Sequence, residues 1–220
     1  MQPHRTPRRS FLATLAAAAG AGALAPLLVA GDLEARIPSE APWDLTWLDE
    51  LKGKHKQIFD VGKLEDVPGP LHTVANYLDA WRDVYHLEFP EVNTILGIAG
   101  SGFPINAGDA LWAKYKLAQR WRITDDAGKP GATHNVFLEA PASDAKRASV
   151  KGLQARGTVF YQCNNALKAL ARELSMASKE PYDNVYAELV AGLNPGVHLV
   201  PAHTMLVGLC QEHGCAYQSV

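Results

Sequence analysis

A continuous apolar run, VNTILGIAG at residues 92–100, constrains the fold more than any other feature of the sequence. Uncharged runs of this length are typical of strands that a parallel sheet buries on both faces. A second such run, TVFYQC at 158–163, leads directly into NNALKALARELSMASK, in which apolar residues recur at helical spacing. Strands that alternate with helices predict a parallel sheet covered by helices on both faces.

The same alternation extends along the chain and predicts a three-layer α/β/α fold with a mostly parallel sheet of about five strands. The expected strands cover 56–63, 92–100, 158–163, 194–201 and 215–220. The expected helices cover 71–85, 106–118, 143–157, 164–179, 181–193 and 202–214, and Ser143 or Asp144 is the expected N-cap of the third. Residues 119–143, around the turn DDAGKPG, predict a surface hairpin or loop excursion.

The first 30 residues carry three arginines and no acidic residue, and an uncharged tract runs from Ser10 to Gly31. This composition predicts a cleaved export signal rather than a membrane anchor. The stretch PRRSFLA at 7–13 is typical of twin-arginine signals, so we expect the Tat export machinery as a partner and a periplasmic location. Cleavage near Ala30 or Ala35 fits the small residues there. Residues 31–55 are then an N-terminal lead-in, and 56–220 form a single domain.

Removal of the signal takes away three arginines and changes the formal net charge from −2 to −5. Nucleic-acid-binding domains usually carry a basic patch or stripe. A mildly acidic mature protein therefore argues against nucleic acid as a partner.

Cys163 ends the predicted third strand and precedes a helix that Asn164 or Asn165 can cap. Ligands of parallel α/β sheets bind at this edge, and the unpaired N–H groups of a helix N-terminus favour an anion such as a thiolate. His203 begins the helix after the fourth strand and lies on the same edge, where its imidazole could take the thiol proton. The alternatives are a buried core cysteine and a solvent-exposed histidine.

The turn after the second strand, Gly100-Ser101-Gly102, lies on this edge and predicts one wall of a ligand pocket. Asn106, Asp109 and Asn164 are expected to line the same pocket. A tight strand-to-helix turn without a ligand is the alternative interpretation, because the turn lacks the Lys-Ser/Thr of a phosphate-binding loop.

Cys210 and Cys215 flank the short segment QEHG. In an exported protein two cysteines so close favour a disulfide, which leaves Cys163 as the odd free thiol. A packed, unpaired Cys210 is the alternative. With His213 the two cysteines also form C-x2-H-x-C, a weak candidate for zinc or copper, but structural zinc takes four ligands and the leading interpretation needs no metal and no other cofactor.

Three stretches together resemble the DsrE/DsrF-like family, in particular its exported, signal-bearing members: NAGDALWAKYKLA, GLQARGTVFYQCNNAL, and GLNPGVHLVPAHTMLVGLCQEHGCAYQSV. The resemblance covers residues 56–220. It implies a compact α/β/α fold, a homo-oligomer, and a cysteine at the position of Cys163 that can carry sulfur as a persulfide between a donor and an acceptor protein. The turn GIAGSGF departs from the histidine-containing turn of many relatives, and Cys210 and Cys215 are not family positions.

Two functions therefore stand as expectations. The first is sulfur handling through a reactive or persulfide-carrying Cys163. The second is a noncatalytic periplasmic module that binds a small ligand or a metal ion.

Overall fold

Five parallel strands form the central sheet in the computed structural model, which describes residues 43–61, 64, 69–125 and 127–220. The strands are β1 (His55–Val61), β2 (Val92–Ile98), β3 (Val159–Cys163), β4 (Val197–Val200) and β5 (Ala216–Ser219), in the order β4-β3-β2-β1-β5. Helices cover both faces, which confirms the predicted three-layer α/β/α fold. The predicted signal at 1–30 and the first part of the lead-in lie outside the described residues.

Eight α-helices accompany the strands within the described residues. They are α1 (Gly69–Tyr85), α2 (Phe103–Asn106), α3 (Asp109–Tyr115), α4 (Leu117–Trp121), α5 (Val150–Ala155), α6 (Asn164–Ser178), α7 (Tyr182–Ala191) and α8 (His203–Glu212). Over the ranges that the structure describes, no helix is long and apolar enough to cross a membrane.

The helix predicted over 143–157 is shorter than expected. It begins at Val150, because the side chain of Ser149 accepts the N–H of Gly152 and caps it there. The predicted caps, Ser143 and Asp144, instead lie in a 3-10 turn, so that prediction was wrong.

The predicted excursion at 119–143 begins within α4. An isolated antiparallel bridge joins Thr124 to Pro130, and most of the described residues that follow lie in turns and irregular segments. The excursion is therefore closer to a loop than to a regular hairpin. The described part of the lead-in contains a short 3-10 helix, Thr46–Leu48.

Buried side chains alternate between the two faces of the sheet, as the period of a strand requires. One face carries Phe59, Leu96 and Phe160, which pack in a core with helices α1 to α7. The other face carries Ile58, Ile95 and Tyr161, which pack against the segment 47–51 and helix α8.

The strand order explains this division of the helices. The chain passes from β1 through β2 and β3 to β4 in one direction, and then returns across the sheet to β5 on the far side of β1. Because crossovers between parallel strands are right-handed, a reversal of direction moves the connecting helix to the opposite face. Helix α8, which joins β4 to β5, therefore covers the face that α1 to α7 leave open.

Candidate functional site

The reversal creates a topological switch point at the carboxyl ends of β3 and β4. These two strands are neighbours, but the chain leaves β3 for α6 on one face and leaves β4 for α8 on the other. Open parallel sheets bind ligands at such switch points. Cys163 is the last residue of β3 and His203 is the first residue of α8, so both lie at the switch point.

Cys163 itself is the N-cap of α6, which corrects the expectation that Asn164 or Asn165 would cap this helix. Its Sγ accepts the backbone N–H of Ala166 at 3.5 Å. Asn164 is the first residue of the helix, and its side-chain Oδ1 accepts the hydroxyl of Tyr186 at 2.6 Å. The cap leaves the sulfur at the positive end of the helix dipole.

A second helix also directs its N-terminus at this sulfur. The backbone N–H of His203 donates to Cys163 Sγ at 3.3 Å. Amides in the first turn of a helix have no partner within the helix, so an acceptor atom outside it satisfies them. Two N–H groups from two helices therefore converge on one sulfur atom. Cys163 is 5 % exposed.

The imidazole of His203 does not bond to the thiol, which corrects the expected cysteine–imidazole pair. Its Nδ1 lies 2.9 Å from the hydroxyl of Tyr161, and its Nε2 lies 2.7 Å from Oδ1 of Asp60. The other carboxylate oxygen of Asp60, Oδ2, accepts the hydroxyl of Tyr217 at 2.8 Å. His203 thus contacts Cys163 through its main chain and contacts two strands, β1 and β3, through its side chain.

Tyr161 is completely buried, and its burial raises its pKa above the usual value of 10.0. The hydroxyl therefore keeps its proton and donates it to an acceptor, for which Nδ1 of His203 is placed. Tyr161 and Asp60 are not among the predicted site residues. Tyr161 lies two positions before Cys163 in the same strand, and that spacing, which places both side chains on one face, was the available signal.

A cavity of about 480 Å³ lies beside the start of α6. Its lining residues are Gly100, Ser101, Arg120, Trp121, Ala166, Ala169, Leu170 and Glu173. Ala166, whose N–H donates to Cys163 Sγ, lines the cavity, whereas Cys163 itself is not among its lining residues. Arg120 forms an ion pair with Glu173 and lies over the ring of Trp121.

Gly100 and Ser101 are thus placed on a cavity at the predicted edge, whereas the other expected pocket residues have internal partners. Gly102 is buried against β1 and β2. Asp109 accepts the N–H of Asn135 at 2.8 Å. The described residues that line this cavity do not include Gly102, Asn106, Asp109 or Asn164.

Asn106 is fully buried and ties α2 to the sheet. Its side-chain amide donates to the carbonyl of Tyr161 at 3.1 Å and to Oε1 of Gln162 at 3.2 Å. Its own carbonyl accepts the N–H of Asn194 at 2.8 Å. These contacts fix the segment after β2 to the sheet, whereas Oδ1 of Asn106 is buried without a hydrogen-bond partner.

Cys210 and Cys215 are buried free thiols in the structure, and a hydrogen bond joins their side chains. This hydrogen bond raises the pKa of Cys210 and lowers the pKa of Cys215, whose thiolate the ammonium group of Lys56 also stabilises. Their disulfide therefore remains a prediction for the protein in an oxidising compartment. Cys210 lies in α8 and Cys215 directly precedes β5, so the pair is at the amino end of a strand, whereas Cys163 is at the carboxyl end of β3.

The candidate metal ligands Cys210, His213 and Cys215 do not form a joint site. His213 turns its Nδ1 toward Asp49, at 4.0 Å. Throughout the part of the chain that the structure describes, no group of three or more such side chains could hold a metal ion.

Fold and site together define a class: an α/β protein with a thiol at the switch point of its sheet. No family model and no curated protein matches the chain. Among solved structures, the chain is similar to the protein of unknown function MTH1491 from Methanobacterium thermoautotrophicum. The identity is 17 %, the match covers 76 % of this chain and 99 % of that chain, and the TM-score is 0.39.

Proposed function

We propose that this protein carries sulfur on Cys163 as a persulfide, in the manner that its resemblance to DsrE/DsrF-like proteins implies. The observation that carries the proposal is the pair of N–H groups, from Ala166 and His203, that converge on Sγ at the switch point. Hydrogen bonds from helix N-termini favour a thiolate over a thiol, and the thiolate is the nucleophile.

The reaction needs one nucleophilic step. The Cys163 thiolate attacks a sulfane sulfur of an inorganic polysulfide, and a bond forms between Sγ and that sulfur. The sulfur–sulfur bond of the donor breaks, and the shortened polysulfide leaves with the electron pair. No net oxidant is required, because the transferred sulfur is already at the oxidation level of a persulfide.

The burial of Cys163 favours a small donor over a bulky one. With 5 % of its surface exposed, the residue offers little area to a folded partner without local movement. The cavity lined by Gly100, Ser101 and Ala166 adjoins the N–H that contacts Sγ and provides space for a short sulfur chain. A protein acceptor would need to present a flexible thiol-bearing segment at this edge.

The proposal includes the compartment and the assembly that the sequence predicts. The protein is exported through a twin-arginine signal, acts in the periplasm as a homo-oligomer, takes sulfur from a small donor and passes it to an acceptor protein. The apolar, Ala-rich tract after the arginine pair and the resemblance support these points.

Intact-mass spectrometry after incubation with inorganic polysulfide tests the proposal. Wild type should gain the mass of one sulfur atom or more, and treatment with a reducing thiol should remove it. Cys163→Ala should gain none at this site, whereas the double variant Cys210→Ser, Cys215→Ser should still be loaded. A wild type that takes up no sulfur, or a Cys163→Ala variant that takes up as much, would refute persulfide formation on Cys163.

A noncatalytic small-ligand module is the second candidate, and the cavity beside α6 favours it. Arg120 and Ser101 offer polar groups, and the ring of Trp121 offers an apolar surface, which is the usual mixture in ligand sites. Native mass spectrometry of the purified protein would reveal a bound molecule. Its loss in Trp121→Ala but not in Cys163→Ala would favour this function over sulfur transfer.

A further inference from the structure

We propose that Asp60, His203 and Tyr161 form a hydrogen-bonded relay that positions the first turn of α8, so that the His203 N–H stays directed at Cys163 Sγ. His203 is then a positioning residue through its side chain and a direct contact of the thiol through its main chain. The inference deepens the proposed function and rests on it, because it names the groups that hold a hydrogen-bond donor against Cys163 Sγ.

The relay crosses three neighbouring strands in register. Asp60 of β1 pairs with Gly97 of β2, and Gly97 pairs with Tyr161 of β3. The imidazole of His203 bridges the outer two, at 2.7 Å from the carboxylate and 2.9 Å from the hydroxyl. The first residue of α8 is therefore anchored to both sides of the central strand β2.

Gly97 makes this bridge sterically feasible. A Cβ atom at this position would lie 2.3 Å from the Tyr161 hydroxyl oxygen, a distance that real Cβ atoms do not reach. Glycine weakens a strand interior, and a glycine there often marks a close approach by another group. The tyrosine thus leans across the surface of β2 toward His203 through the gap that this glycine leaves.

The donors and acceptors along the relay are complementary in one arrangement. The Asp60 carboxylate can only accept, so in a neutral imidazole the proton lies on Nε2, and Nδ1 of His203 accepts the hydroxyl of Tyr161. The relay contains a buried tyrosine hydroxyl, a glycine within a strand, and a histidine whose two ring nitrogens are both hydrogen-bonded. One positioning role accounts for all three features.

The consequence for the thiol follows from the position of His203. Its N–H is one of the first-turn amides that have no intrahelical acceptor, so its direction depends on how the first turn is held. The side chain of the same residue is held at both nitrogens. Release of either bond removes one constraint on the N–H that contacts Sγ at 3.3 Å.

Two measurements on the folded protein test the relay without using sulfur transfer. Nuclear magnetic resonance gives the imidazole tautomer and the hydrogen-exchange rate of the His203 amide. Peptide-resolved mass spectrometry gives the rate at which iodoacetamide alkylates Cys163, separately from the other cysteines. The variants are Tyr161→Phe, Asp60→Ala and Asp60→Asn, and the matched control is Tyr115→Phe, which removes a different tyrosine hydroxyl bonded to the carboxylate of Glu188.

We expect the Nε2–H tautomer in wild type. Tyr161→Phe and Asp60→Ala should speed exchange of the His203 amide and slow alkylation of Cys163 about tenfold, the equivalent of one hydrogen bond to a charged group. Asp60→Asn keeps an oxygen acceptor for Nε2–H and should remain close to wild type, as should Tyr115→Phe.

Three results would overturn the inference. They are an Nδ1–H tautomer in wild type, alkylation at an unchanged or higher rate in folded Tyr161→Phe, and a loss in Asp60→Asn as large as in Asp60→Ala. The first needs no variant, so it holds even where a substitution impairs folding. Absence of sulfur loading on wild type would refute the proposed function alone, because none of these measurements depends on a sulfur donor.

Discussion

The backbone N–H of His203 lies 3.3 Å from the sulfur of Cys163, although 40 positions separate the two residues in the chain. They meet because β3 and β4 are adjacent and each is followed directly by a helix, one on either face of the sheet. The fold therefore provides the thiol with two helix N-termini where a single strand-to-helix turn would provide one. These contacts affect the reactivity of the Cys163 thiol and the stability of α6 and α8.

The cap of α6 can be tested through stability. Cys163→Ser should be more stable than Cys163→Ala by about 1 kcal/mol, because a serine hydroxyl can accept the N–H of Ala166 and alanine cannot. Urea unfolding of the two variants measures the difference. If the alanine variant is as stable as the serine variant, Sγ does not serve as a helix cap.

Gly97 should tolerate no side chain. Gly97→Ala is expected to lower the free energy of unfolding by about 1–3 kcal/mol, because the new methyl group overlaps the ring and hydroxyl of Tyr161. Gly208→Ala is the matched control: Gly208 lies within α8 with nothing within 4 Å of an added Cβ, so this change should stabilise the helix by about 0.5–1 kcal/mol. Equal effects of the two substitutions in thermal or urea unfolding would contradict the close approach of Tyr161 to β2.

Much of the sheet could be predicted from the sequence because its signals are local. The apolar runs around Ile95 and Phe160 each indicate a strand from neighbouring residues alone. The end of the run at Cys163, followed by helical spacing, likewise predicts this residue at the carboxyl end of a strand, where β3 has it. Such predictions need only the periods of strands and helices.

The contacts of the site depend on register and strand order, which local patterns do not encode. The bridge from Asp60 to Tyr161 requires that β1, β2 and β3 align these residues across Gly97. The imidazole of His203 was expected at the thiol, but two better-placed partners on neighbouring strands hold it. No spacing within a single segment distinguishes these outcomes.

The lining of the expected ligand pocket also could not be predicted from local sequence patterns, but for a different reason. Asn106 occurs at the start of a predicted helix near the correct edge, yet its side chain satisfies buried main-chain and side-chain groups of β3. Buried polar side chains require partners, and the identity of those partners is a property of the tertiary packing.

Burial of Tyr161 should make the protein sensitive to alkaline pH. Its pKa is raised in the folded state above the unfolded value of 10.0, so the contribution of its neutral form is complete below pH 10.0. As pH rises further, the unfolded chain loses this proton and the folded one does not, and stability falls by about 1.4 kcal/mol per pH unit. Urea unfolding across alkaline pH should therefore show a steeper loss for wild type than for Tyr161→Phe. Parallel curves would contradict the raised pKa.

The C-terminal cysteines should be paired in protein exported to an oxidising compartment. The two residues lie close together in the structure, because the backbone N–H of Cys215 donates to the carbonyl oxygen of Cys210 at 2.9 Å. Protein isolated without reductant should then present one free thiol per chain under denaturing conditions, namely Cys163. Three free thiols in that material would exclude the disulfide. Cytoplasmic expression without the signal provides the reduced reference.

In the reduced protein Cys215 should react before Cys210. The thiol of Cys210 donates a hydrogen bond to Cys215 and the ammonium of Lys56 lies nearby, and both lower the pKa of Cys215 from its usual 9.0 while the same hydrogen bond raises that of Cys210. A lowered pKa gives more thiolate below pH 9.0, so alkylation of Cys215 should reach half its maximal rate at a lower pH than alkylation of Cys210.

Lys56→Met should move the pH profile of Cys215 alkylation toward higher pH because it removes a stabilising charge, whereas Lys129→Met, which removes an exposed lysine elsewhere, should not. An unchanged profile in Lys56→Met would show that the hydrogen bond from Cys210 is sufficient by itself, and faster alkylation of Cys210 than of Cys215 would reverse the assignment of donor and acceptor within the pair.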